Sequence, residues 1–155
     1  MKIPKLTVSL LADRIWSPDG NLTKPQVIDR LRNWTKEGLL LPLGEKNPGT
    51  GRHRYYPHWA VADALLLTVL TDAVGLQAVK ARAFAELFKL AKQALKTDPG
   101  KDQLIVVGLS RDGQPAKTNL FRSHNLQKEL NASDHQVHIV IDLGKIYASL
   151  NHPKG

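Results

Sequence analysis

Breaker residues set the limits on what this chain can form. Pro, Gly, Asn and Asp gather at residues 16–21, at Gly38, at 47–51, at Gly75, over 97–102 and over 111–115. Proline has no amide donor, and glycine loses the most backbone freedom on ordering, so regular helix or strand rarely runs through such clusters. Between them lie segments long enough for one helix or a strand pair each. A chain of 155 residues punctuated this way is one compact domain or two small ones.

The segments have distinct periodicities. Val8, Leu11, Ala12 and Ile15 recur at helical spacing behind Thr7, a good N-cap, which predicts a short helix over residues 7–15. A second helix begins near Thr23, capped by Thr23 or Lys24, with Pro25 in its first turn. Val27, Ile28, Leu31 and Trp34 form its apolar stripe, Lys24, Gln26, Arg30, Asn33 and Lys36 fall on other faces, and Gly38 ends it. Residues 39–43 and 52–56 read as two strands of a hairpin about a turn at 47–51, with Arg52, Arg54 and Tyr56 on one face of the return strand and His53 and Tyr55 on the other. An unusually apolar helix follows over 57–74. Another over 76–95 has Phe84, Leu87, Phe88, Ala91 and Leu95 on one face and is long enough to pack against a second copy of itself. Past the boundary at 97–102 come strands at 104–109 and 116–121, a short helix at 123–130, a strand at 137–142 and a closing helix at 143–150.

The order helix, turn, helix, basic hairpin, helix is the winged helix-turn-helix plan. The expected fold class is therefore α+β: a mostly helical winged helix-turn-helix domain over residues 1–75, a connecting and dimerisation helix over 76–97, and a small α+β segment of unassigned role over 103–155.

Charge points the same way. Lys and Arg outnumber Asp and Glu by 22 to 14, a formal charge of +8 that favours a polyanionic partner. Residues 1–60 hold ten of those cations against five acids, so the anion-facing surface is expected in the first two-fifths of the chain. With no Cys, disulfide scaffolds, Cys-ligated zinc and thiol chemistry are excluded. The longest apolar run, residues 60–70, is interrupted by Asp63 and falls short of the roughly 20 residues of a membrane helix. The first fifteen residues lack the apolar centre of a signal peptide. A cytoplasmic protein without membrane contact is the expectation.

Three short motifs sharpen this reading: Leu31, Arg32, Asn33 and Trp34; then Glu37, Gly38, Leu39 and Leu40; then Gly51, Arg52, His53, Arg54, Tyr55 and Tyr56. Together, over about residues 6–75, they resemble the DNA-binding domain of the MerR family of transcriptional regulators, in which a similar series closes the second helix and crosses the wing. The resemblance implies a sequence-specific regulator that binds double-stranded DNA as a homodimer on a pseudo-palindromic site, distorts promoter DNA and contacts RNA polymerase. The stretch ahead of Leu31 is longer than the family's tight turn, and the segment beyond residue 103 is not its usual short dimerisation helix and sensor loop. A DNA-architectural or phage-type excision or packaging adaptor built on the same winged domain is the alternative.

The residues expected to touch DNA are Lys24, Gln26, Arg30, Arg32, Lys46, Arg52, Arg54 and Tyr56. Gln pairs with adenine through both amide atoms, Arg and Lys read guanine or clamp phosphate, and a wing arginine reaches phosphate or minor groove. Either Tyr55 or Tyr56 packs beneath the wing while the other faces the duplex. Leu31 and Trp34 are expected in the core. His135 and His138 have metal-ligand spacing for a helix, but a strand turns them to opposite faces. Ser123, His124 and Asp134 carry no positioning motif for hydrolysis. No catalytic residue, metal or cofactor is expected.

Overall fold

The computed structural model describes residues 4–44, 53–75, 89–91, 93–94, 102–113 and 115–151. They form a mixed helical and stranded protein in the order β1 (Lys5–Thr7), α1 (Val8–Ile15), α2 (Lys24–Lys36), β2 (Tyr55–Pro57), α3 (Ala60–Val74), β3 (Gln103–Leu109), β4 (Pro115–Arg122), α4 (Leu126–Ala132), β5 (Val137–Asp142) and α5 (Leu143–Asn151). The chain divides into two compact units, Met1–Thr68 and Val69–His152, with the division inside α3.

In the first unit the ends of α1 and α2 are each closed by a local device. The Thr7 hydroxyl accepts from the Leu10 amide and starts α1. The Trp16 amide donates to Ala12 O at its end, and the Trp16 indole donates to Leu22 O at 2.9 Å, which fastens the connecting loop. At the start of α2 a full capping box forms: Thr23 accepts from the Gln26 amide, and Gln26 Oε1 accepts from the Thr23 amide at 2.8 Å. The exit is a Schellman turn. Gly38 takes φ 78°, its amide donates to Thr35 O, and the Leu39 amide donates to Trp34 O at 2.9 Å.

That exit limits the first strand of the expected hairpin. The amides of both Leu39 and Leu40 are spent on Trp34 O, and Pro42 has no amide to offer. The strand expected over 39–43 is therefore reduced to one bridge, Leu43 to Tyr55, through a 2.7 Å bond. β2 pairs instead with β1, antiparallel, with Leu6 opposite Tyr56 and Lys5 opposite Pro57. Because Pro57 belongs to this ladder, α3 starts at Ala60 and not at 57. The turn at 47–51 and most of the helix expected over 76–95 lie outside the described residues; 89–91, 93 and 94 are helical.

α1 and α2 pack on each other and bury Leu11, Ala12, Val27, Leu31 and Trp34, joined in the core by Leu6, Leu40 and Tyr56. Tyr56 is fully buried, and its hydroxyl lies 2.8 Å from Thr35 Oγ1. Thr35 gives its own proton to Leu31 O at 2.9 Å, so Tyr56 is the donor of the pair. α3 is apolar on most of its surface, as its sequence predicts, with Val61, Leu66, Leu67 and Leu70 buried.

The second unit is a three-stranded antiparallel sheet in the order β4-β3-β5. β3 is buried from Gln103 to Gly108, and its near-continuous apolar run fits a strand covered on both sides. Ile105 stands in register with Leu120 and Ile141. α5 packs on β3 with Leu143 and Ile146 inward, and Asp142 Oδ1 accepts from the Lys145 amide at its start. The helix expected over 123–130 is a 3-10 turn, Ser123–Asn125, leading into α4.

The Tyr56–Thr35 bond orders the cost of its two deletions. Tyr56→Phe leaves Thr35 still donating and is expected to lower unfolding free energy by about 1 kcal/mol. Thr35→Val strands a buried phenol and is expected to cost more, about 1–3 kcal/mol. Urea denaturation of the two variants checks the order.

Candidate nucleic-acid interface

α2 has two sides. Val27, Leu31, Trp34 and Thr35 are buried, while Gln26, Asp29, Arg32, Asn33 and Lys36 are exposed. The capping box and the indole-fastened loop fix where this helix begins, and the Schellman turn fixes where it stops. The exposed side is thus presented by a rigid element.

The expected contact residues are held in different ways. Lys24 forms an ion pair with Asp13 on α1, both side chains more than a third exposed. Arg32 pairs with Asp29 one turn earlier at 3.2 Å, with 59% and 70% of the side chains exposed. Ion pairs this exposed are worth about 0–1 kcal/mol, so a phosphate can displace either carboxylate at small cost. Asp29 also places a negative charge within the exposed stripe, which lowers its net positive field. Arg30 is half-buried, its guanidinium carbon 5.7 Å from the centre of the Trp34 ring.

Gln26 is engaged in structure. Its Oε1 accepts from the Thr23 amide, and a bidentate adenine contact needs that same atom. Base reading by Gln26 would therefore open the cap. Arg54 is half-buried just before β2. Lys46 and Arg52 lie outside the described residues.

Tyr56 needs correction. Expected among the DNA-facing residues, it is fully buried with its hydroxyl bonded to Thr35, so it has no surface to offer a duplex. Tyr55 is the exposed member of the pair, at 41%. Lys5 on β1 sits with its Nζ 5.9 Å from the Tyr55 ring centre. Sequence reading missed Lys5 because β1 is three residues long and its partner is fifty residues away; an alternation that short has no usable periodicity.

In the second unit the expectation for the two histidines also changes. His135 precedes β5, so strand alternation does not govern it, and the rings of His135 and His138 meet edge to face with centroids 6.4 Å apart. Among the described residues no group of three or more His, Asp or Glu is arranged to hold a metal ion. Ser123, His124 and Asp134 are all exposed. Among the described residues no helix is long and apolar enough to cross a membrane.

The sequence matches no protein-family model and no curated protein.

Gln26 separates capping from recognition. Gln26→Ala removes one side of the capping box and is expected to cost about 0.5–1 kcal/mol of stability. Gln26→Glu keeps a cap acceptor and favours the helix N-terminus, so its stability is expected to stay at wild-type level or above. Thermal unfolding of both variants distinguishes them.

Proposed function

We propose that the first unit is a winged helix-turn-helix of the MerR type and that the protein binds double-stranded DNA as a transcriptional regulator, not as an enzyme. The observation that carries this reading is the two-sided α2: a buried apolar stripe fixes its orientation, and Lys24, Arg32 and Lys36 ride on its solvent side or ends. A helix of this diameter fits the major groove, about 12 Å wide. The net +8 charge of the chain favours the same partner.

In this reading α1 and the fastened loop set the docking angle of α2. Lys24 and Arg32 leave their carboxylates for phosphates and release counterions from the duplex. Arg30, stacked over Trp34, is held close to one direction, which suits a directed contact more than a diffuse charge. Arg54, just before β2, reaches flanking phosphates or minor groove. Tyr55, beside Lys5, takes the place that had been open between the two tyrosines. A second copy of the chain places two such helices on a two-fold site.

Fluorescence anisotropy on a duplex pool across salt concentrations tests the reading. Binding is expected to weaken linearly in log–log form, and Lys24→Gln with Arg32→Gln is expected to reduce the slope by roughly two units, about one per lost phosphate contact. Affinity for selected and for random duplexes is expected to fall together. A double variant with unchanged affinity and slope removes α2 from the interface.

A further inference from the structure

The second unit carries a row of side chains that the DNA reading does not use. In the sheet register Gly108 of β3 lies opposite Lys117 of β4 on one side and His138 of β5 on the other. Residues in register share a face, so Lys117 and His138 stand on the same side of the sheet, about 10 Å apart across two strand spacings. Gly108 leaves the middle of that row without a side chain.

His135 fills part of the gap. A Cβ built on Gly108 would lie 2.5 Å from His135 Cδ2, so the imidazole sits against the strand only because residue 108 is glycine. Ser133, the residue that ends α4, holds the His135 backbone and the His138 ring. Its Oγ accepts from the His135 amide at 3.2 Å and lies 2.8 Å from His138 Nε2. Asn119, two residues beyond Lys117 on the same face, completes the wall.

These groups border a recess of about 30 Å³. A water-sized group needs about 10–15 Å³ measured this way, so the recess admits two such groups. Its polar lining is Lys117, Asn119, Ser133, His135 and His138, with no carboxylate among the described residues. An ammonium, a carboxamide, a hydroxyl and two imidazoles supply more donors than acceptors. A larger pocket of about 230 Å³ shares His135 with the recess and lies toward the strand ends, bordered by Leu109 and Val137, which alternate to the other face, and by Ser110, Arg111, Asp134 and Gln136, which can hydrogen-bond a polar organic body.

We infer that the recess and the pocket that share His135, at this end of the sheet, bind a phosphomonoester, with two phosphate oxygens seated in the recess between Lys117 and the two histidines and the organic part in the larger pocket past His135. The donor surplus selects an anion. The two-group volume fits a pair of oxygens of a tetrahedral oxyanion. The adjoining pocket gives the esterified group a place. This inference stands independently of whether the first unit binds DNA.

The test uses the full chain labelled with ¹⁵N, at constant pH and ionic strength, with the imidazole resonances of His135 and His138 as the readout. AMP is expected to move both saturably, inorganic phosphate to move them at higher concentration, and adenosine to leave them in place. Lys117→Gln changes an exposed side chain and is expected to weaken AMP at least tenfold with an unchanged circular-dichroism spectrum. Gly108→Ala, which drives His135 off the strand, is expected to abolish the response. Absence of a saturable shift with either phosphate overturns the inference. So do an equal response to adenosine, wild-type binding by Lys117→Gln or Gly108→Ala, and a response confined to a DNA duplex.

Discussion

A buried pair of hydroxyls, Tyr56 and Thr35, joins the strand layer of the first unit to its second helix. Thr35 donates back to Leu31 O and accepts from Tyr56, so helix, threonine and strand form one chain of polar contacts inside an apolar core. Such a chain is costly to leave half-made, and it specifies where β2 must sit relative to α2. The exposed side of α2 and the exposed face of β2 inherit their relation from it. Lys24, Arg32, Tyr55 and Lys5 are surface residues whose directions are fixed from beneath.

The same arrangement explains which parts of the first unit were legible in the sequence. Thr7 and Thr23 announce helix starts because their side chains act within three residues, and Gly38 announces a helix end for the same reason. The pairing of β1 with β2 is different in kind. It joins residue 5 to residue 57, and no local pattern encodes a contact across that distance. The two adjacent tyrosines show the limit most directly. Alternation says that one faces in and one out, and the register of a strand not visible in the sequence decides which.

Of the candidate interface, the residue types and the helix that carries them were readable, but not their engagements. Asp13 and Asp29 are unremarked acids until the fold sets them against Lys24 and Arg32. Gln26 reads as a base-contacting residue by type, and in the structure its oxygen is committed to the cap. In the second unit, spacing alone assigned the two histidines to opposite faces because it took both as strand residues. His135 lies in the loop before the strand and folds back over Gly108.

The sheet of the second unit ends on both sides in strands with one paired edge each among the described residues. An unpaired edge templates further strands, and Val137 and Val140, exposed on β5, add an apolar lure to that rim. On β4 the exposed Lys117 works the other way, since a charged side chain on a border strand discourages stacking by a neighbouring chain. The lysine that borders the recess thus stands on a border strand as well, where its charge opposes pairing by a neighbouring chain.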